Sequence, residues 1–387
     1  MKTMFNFSSG RTRRAAAVSA WLMIGLAVGC GDDGGELSDA RPAIDGYAAI
    51  VRAGYDDSLT TARALKTAVD AFVAAPSATT LEAAKTAWKA AREPYGQTEV
   101  FRFYDGPIDD PDTGPEGRIN SWPLDEVYID YVEGNATAGI INSPAMFPAI
   151  TKQVIADQNA VGAEENISSG YHAIEFLLWG QDMNPSGPGA RPHTDYLLGK
   201  ANHDRRGQYL KLAAELLVDD LQAVVDAWKP DAAYPADFAA DPKEALRRIL
   251  QGMGSLGGAE LSGERMTVAL DNRDQEDEHS CFSDNTHRDL HGNALAIQNA
   301  YLGRYGAIDG PGLDELVRAR DPALAAELQQ QLEASIAAID AIPAPFDQAI
   351  ANDASRAKVL AAVRALQDQT DTLVEVATLF GIQINLE

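Results

Sequence analysis

His172 and Glu175 stand three residues apart in "GYHAIEFLLWGQD" (Gly170 to Asp182), an otherwise apolar stretch. On a helix, positions i and i+3 share a face, so the two point the same way while Ile174, Leu177 and Leu178 turn elsewhere, into a core. Burying an imidazole and a carboxylate is costly unless they are paired or ligate a metal. The spacing thus allows two readings, a metal-ligating pair or a structural His–Glu hydrogen bond between helices. Two zinc-peptidase patterns are absent: HExxH needs Glu at 173 and His at 176, and HxxEH also needs His at 176, but the chain has Ala173 and Phe176. A metal site would have to recruit its other ligands from distant helices, as carboxylate-rich helical sites do. Mixed oxygen and imidazole donors suit iron, manganese or zinc.

Two further constellations could do chemistry. In "AWKAAREPYGQTEVF", Arg92 and Glu99 lie seven residues apart, two turns on one helical face, with Tyr95 between them. "WPLDEVYID" adds Asp125 and Asp130. In "DNRDQEDEHSCFSDNTHRDLHGNA", five carboxylates (Asp271, Asp274, Glu276, Asp277, Glu278) precede His279, Cys281, His287 and His291. His287 and His291 are i, i+4 on a helix, a credible metal pair; the alternative is a hydrogen-bonded polar loop. No glycine sits where a calcium EF-hand loop needs its turn. Cys281 reads as a buried small residue rather than a nucleophile.

The elements that must position these groups are helical. Ala and Leu are abundant, β-branched runs are scarce and apolar residues recur at three and four. The pattern predicts helices over 41–75, 77–104, 165–180, 204–228, 241–256, 258–270, 285–304, 311–342 and 352–380. A long loop rich in Gly, Pro and Asp covers 105–132; its Trp122, Tyr128 and Tyr131 argue for an ordered, packed segment. The expected architecture is all-α, with two helical-bundle halves (41–203 and 204–387) and a cleft at their interface.

The first 29 residues read as a signal peptide: Lys2, Arg11, Arg13 and Arg14 precede an apolar run from Ala15 to Val28. "GLAVGC" followed by "GDDGGELSD" looks like a lipobox, with Cys30 as the lipidated residue and 30–40 as the anchor linker. Without the leader's four basic residues the chain keeps about 28 basic against 57 acidic, a balance near −29. Such a surface repels nucleic acid and anionic lipid heads and attracts cations. The expected location is the cell envelope, lipid-anchored at the outer membrane or the periplasmic face, with membrane contact only through the anchor.

Together, "GYHAIEFLLWG", "AWKAAREPYGQTEVF" and "INSWPLD" resemble the imelysin family, whose GxHxxE motif falls on Gly170, His172 and Glu175. "GERMTVALDNRDQEDEHSCFSDNTHRDL" is similar to its iron-regulated protein A-like subgroup. The resemblance covers roughly 41–385 and implies an all-helical fold with the motif in a cleft between two halves. It also implies a bacterial envelope protein linked to iron acquisition. Carried over by motif, the metal ligands are His172, Glu175 and Glu99, with Asp125 from "WPLD"; Gly96 stands where iron-uptake relatives have a second glutamate. The expected cofactor is a divalent or trivalent metal, iron favoured, zinc or copper as alternatives. Envelope iron-transport components are the expected partners. Arg92 would orient a carboxylate, and Glu278, His279 and His287 are further ligand-binding candidates. The family is also classed among metallopeptidases, in which case Glu175 or Glu99 would activate water on zinc. A third reading is a polar pocket of Arg92, Glu99, His172 and Glu175 that binds a ligand or partner without metal.

Overall fold

The computed structural model describes residues 37–386. The expected signal peptide, most of the linker and Cys30 therefore lie outside the described residues. From Leu37 onward the chain forms one compact unit, all-α but for a two-residue antiparallel ladder, β1 (Arg304–Tyr305) with β2 (Ile308–Asp309).

The helices in chain order begin with α1 (Arg41–Ala74) and α2 (Ala78–Gly96), then the short α3 (Glu116–Ile119), α4 (Glu126–Ile129) and α5 (Lys152–Gln158). Next come α6 (Gly170–Trp179), α7 (His203–Ala227), α8 (Ala233–Phe238) and α9 (Pro242–Ser255). A π-helical stretch (Leu256–Thr267) then runs directly into α10 (Val268–Asn272). The last five are α11 (Thr286–Leu302), α12 (Leu313–Arg320), α13 (Pro322–Asp340), α14 (Phe346–Ala351) and α15 (Asp353–Leu379). No helix among the described residues is long and apolar enough to cross a membrane.

Local chemistry explains the boundaries. Ser77 starts α2 with a reciprocal capping box to Thr80, which satisfies helix-end donors that have no intrahelical partner. Asp321 caps α13 just before Pro322, so the expected single helix over 311–342 is two; proline has no N–H with which to continue a helix. The helix expected over 77–104 stops at Gly96, just after Pro94, and Glu99 sits in a separate 3-10 turn, Glu99–Phe101. The break expected at 257 is instead the wide π-helical stretch. Its Gly257 and Gly258 pass so close to Thr370 that a Cβ at either would lie 3.0 Å from that side chain.

Packing divides into two apolar clusters. The larger joins α1, α2, α6, α7 and α9 through residues such as Tyr55, Trp88, Phe176 and Leu217. The smaller joins the π-helical stretch, α11, α14 and α15 through Leu261, Leu290, Phe346 and Leu366. α11 packs against α2, against the π-helical stretch and against α13.

Candidate functional site

All ten residues of α6 are buried. Its first residue, Gly170, has φ +84°, and a Cβ there would lie 2.5 Å from the Ile119 carbonyl oxygen. Only glycine takes that conformation at no steric cost. The close approach lets the chain around Ile119 run against the start of α6, and so sets Trp122 beside His172. The Trp122 and His172 ring centroids are 4.9 Å apart.

His172 Nδ1 lies 3.0 Å from Glu175 Oε2. Glu175 Oε1 accepts from the Ser283 backbone N–H (3.0 Å) and hydroxyl (2.7 Å). Both carboxylate oxygens are therefore engaged, while His172 Nε2 is buried with no hydrogen-bond partner. Glu175 fixes the imidazole rather than sharing a ligand with it. Such a carboxylate–imidazole pair orients a metal-binding histidine when the carboxylate accepts from one ring nitrogen and leaves the other's lone pair free. Burial disfavours both charged forms. It pushes His172 well below the ordinary imidazole range, helped by His279 and Arg92. It raises Glu175 to about 8 against the lowering effect of Ser283.

His279 packs edge-on against His172, ring centroids 4.7 Å apart. Its Nδ1 is 3.2 Å from Asp289 Oδ2, and Asp289 also pairs with Arg92 at 3.1 Å and accepts from the Ser280 hydroxyl. Burial opposes the Asp289 charge, but Arg92, His279 and Ser280 outweigh it and hold the carboxyl well below its usual range. His279 is itself lowered, by burial first and then by Arg265.

Glu99 forms the other end of this network. It accepts from Arg265, from Arg102 (3.5 Å) and from the Asn120 amide (3.1 Å). Asn120 also accepts from Arg92, so it bridges the two ends. Burial works against the Glu99 charge, yet Arg265, then His279, Arg102 and Arg92, bring its pKa below the ordinary value. Arg265 projects from the π-helical stretch and also reaches Glu260 (2.8 Å); π-helical turns recur at functional sites.

A cavity of about 540 Å³ opens beside this network, with Arg102, Arg265, His279 and Trp122 on its wall. Six carboxylates line it: Glu116, Glu164, Glu260, Glu264, Glu276 and Asp277. Burial first, and then Glu126, Asp274 and other neighbouring acids, raise Glu276 to about 7. The excess of acids makes the cavity attractive to cations.

The structure thus brings together His172, Glu175, Glu99, Arg92 and His279. Asp125 stands apart, as the N-cap of α4 accepting from the Val127 N–H (3.1 Å). Asp130 is buried elsewhere between Arg191 (2.5 Å) and Arg206 (2.6 Å). His287 and His291 do not act as a pair: His291 bonds Asp340 (2.7 Å), while His287 Nδ1 is buried without a partner. Glu278 is buried, and burial first, then Asp347, Asp284 and Asp182, disfavour its charge against the lowering effect of Thr286. Cys281 is a buried free thiol. Asn120, Arg265, Asp289 and Ser283 are the participants that residue spacing missed. Their signal lay in "INSWPLD" and in "GERMTVALDNRDQEDEHSCFSDNTHRDL", which carry all four. Among the described residues, no group of three or more His, Cys, Asp or Glu side chains stands where it could hold a metal ion.

Comparison with known proteins agrees with the helical architecture. The iron-regulated protein A of Synechococcus elongatus is 28% identical over 328 residues, 80% of this chain and 77% of that protein. The crystal structure of an iron-regulated protein A precursor from Parabacteroides distasonis superposes with a TM-score of 0.67 at 23% identity, over 89% of this chain and 97% of that one. That of an imelysin-like protein from Psychrobacter arcticum gives the same TM-score at 16% identity, over 89% and 96% of the two chains. At these identities the two crystal structures speak to the fold alone. The family model described as Imelysin (Peptidase M75) matches residues 51–373, most of the chain, and on that match the protein belongs to the imelysin family.

Proposed function

We propose that this protein binds a metal ion as cargo, iron favoured, at the His172 end of the acidic cavity, and that it takes part in iron acquisition at the cell envelope. One observation carries the reading. His172 Nε2 is buried and unpartnered beside His279, while Glu175 holds the opposite ring nitrogen. Leaving a buried polar atom unpaired costs about 1–3 kcal/mol, and a metal accepted at that lone pair would remove the cost. The donor types fit, since a neutral imidazole and nearby carboxylates suit iron, zinc or copper. Glu99, Asp289 and Glu260 are already neutralised by arginines, so the cavity acids Glu264 and Glu276 are the oxygen donors left to turn inward. The relative named iron-regulated protein A adds a link to iron through its name.

The test is calorimetric titration of the full chain with Fe(II), Fe(III), Zn(II) and Cu(II), beside His172→Ala. Micromolar binding weakened at least about tenfold in the variant, roughly 1.4 kcal/mol, is expected; equal binding in both proteins would sink the reading. Envelope anchoring through Cys30 belongs to the same proposal, checked by palmitate labelling that disappears in Cys30→Ser.

A second reading rests on the arginines. Because Arg265 and Arg92 hold Glu99 and Asp289 as ion pairs, the network could serve as a fixed polar floor for an organic ligand or partner without metal. Ligand capture that survives chelation would favour it.

A further inference from the structure

Arg102 and Arg265 stand on the wall of the 540 Å³ cavity, and each uses only its terminal nitrogens on the protein. Arg265 Nη2 reaches Glu99 and Glu260 (2.8 Å), and its Nη1 donates to Asn293. Arg102 Nη1 lies 3.5 Å from Glu99, and its Nη2 lies 3.1 Å from Glu116. The Nε of each is buried with no hydrogen-bond partner, and Arg265 as a whole is only 3% exposed. A guanidinium keeps its charge and all its donors at physiological pH. A buried donor left unpaired is costly, so these two N–H groups call for an oxygen acceptor from outside the chain.

That acceptor is better neutral than anionic. The two guanidiniums already face three carboxylates, Glu99, Glu116 and Glu260. A further carboxylate would meet like charge, and a carbonyl oxygen would not. The rest of the wall asks for positive charge. Glu164, Glu264 and Glu276 line the same cavity, and none of them forms an ion pair among the described residues. Asp277 beside them has only the Asn272 amide (2.9 Å). Trp122 stands on this wall too, and an indole face attracts a guanidinium or ammonium.

We propose that the cavity binds a small organic cation that also carries a neutral carbonyl group. The cationic end sits among Glu164, Glu264, Glu276 and Trp122, and the carbonyl oxygen accepts from Nε of Arg102 and Arg265. The amide of a basic amino acid has both ends, and the cavity is of the size that encloses a whole small ligand. This inference rests on the second reading above, a polar floor for an organic ligand, and names that ligand's class. It needs no metal.

The test titrates the chelator-treated full chain by calorimetry with three probes that share a guanidinium and an amine. L-Argininamide carries the neutral carbonyl, agmatine lacks it, and L-arginine has a carboxylate in its place. Argininamide is expected to bind with a Kd of about 1 mM or tighter, and ~10-fold tighter than either of the others. Glu264→Gln, at an exposed position, should weaken argininamide and agmatine alike, by at least ~2-fold. Arg102→Lys keeps the charge and removes one Nε–H, so it should narrow the gap between argininamide and agmatine by at least ~3-fold. Equal binding of argininamide and agmatine to the wild type would mean that water serves the two Nε–H groups, and would overturn the proposal. So would tighter binding of arginine, or no heat from any probe at ~10 mM. Binding of the uncharged N-acetylglycinamide as tight as that of argininamide would also overturn the cationic class, while leaving the organic-ligand reading in place. If Arg102→Lys fails to fold, the three probes on the wild type and Glu264→Gln decide the matter.

Discussion

The network around Glu99 and Asp289 and the acids around Glu278 flank the same loop, and they carry buried charge in opposite ways. In the first, each acid meets a guanidinium: Glu99 pairs with Arg265 and Asp289 with Arg92. Asn120 ties the two pairs together. In the second, Asp182, Glu278, Asp284 and Asp347 are buried with no such partner. Attraction to the guanidiniums offsets the desolvation of the first set, so its carboxylates stay ionised and its geometry is held. In the second set desolvation and mutual repulsion add, and the group is left to attract protons or a cation. The loop over 273–285 thus carries His279 and Ser283 into a rigid network while its own Glu278 and Asp284 are buried without a guanidinium partner.

Removing a guanidinium should break the comparison most severely. Arg265→Met leaves Glu99 and Glu260 without their main partner, and unfolding in urea should show a loss of roughly 3–5 kcal/mol. A loss below about 1 kcal/mol would mean that the network does not depend on that pairing.

The two regions should also show opposite pH dependence in chelator-treated protein. Glu99 and Asp289 have folded-state pKa values below their unfolded ones. Their contribution is present above the unfolded carboxyl range of about 4 and is lost as pH falls through the folded values. Asp182 and Asp284 are raised by burial first and by neighbouring acids, to about 6 and about 7. Their contribution is full below pH ~4 and is lost as pH rises through those values. Tm measured across this range should therefore peak in mild acid and decline toward neutrality. A flat profile from mild acid to neutral would show that these carboxylates are compensated after all.

Glu278→Gln sharpens the same contrast with a smaller effect of reversed sign. Replacing an uncompensated buried carboxylate by its neutral isostere should raise stability at neutral pH by about 1 kcal/mol. The corresponding change in the paired network, Asp289→Asn, should lower it. Both are read from urea midpoints, and destabilisation by Glu278→Gln would remove the difference between the regions. The smallest effect belongs to Asp125, which lies outside both. Asp125→Ala removes a helix cap at a cost of about 0.5–1 kcal/mol and should leave metal titrations unchanged; weaker metal binding would return Asp125 to the site.

Much of the local structure was legible in the residues. The apolar period predicts α1 and α7 to within a residue or two, because a long amphipathic stripe leaves little choice of conformation. The spacing of His172 and Glu175 predicts that they share a face, and they do. Local pattern misled where the chain leaves the helix just after Pro94. The helix pattern runs through "EPYGQTEVF", but the helix ends at Gly96, so Glu99 reaches the network from a 3-10 turn.

The partners themselves were another matter. Residue order alone established the helical class, the acidic surface and the buried His–Glu pair. These follow from periodicity, composition and the i, i+3 rule, which act within a few turns of chain. Only the tertiary structure decided that Glu175 serves His172 and Ser283, that Arg265 neutralises Glu99 across 166 residues, and that Arg92 meets Asp289 across 197. It also decided that Glu278 has acids for neighbours. A buried charge takes its energy from whatever surrounds it in space, and helices far apart in sequence set those surroundings.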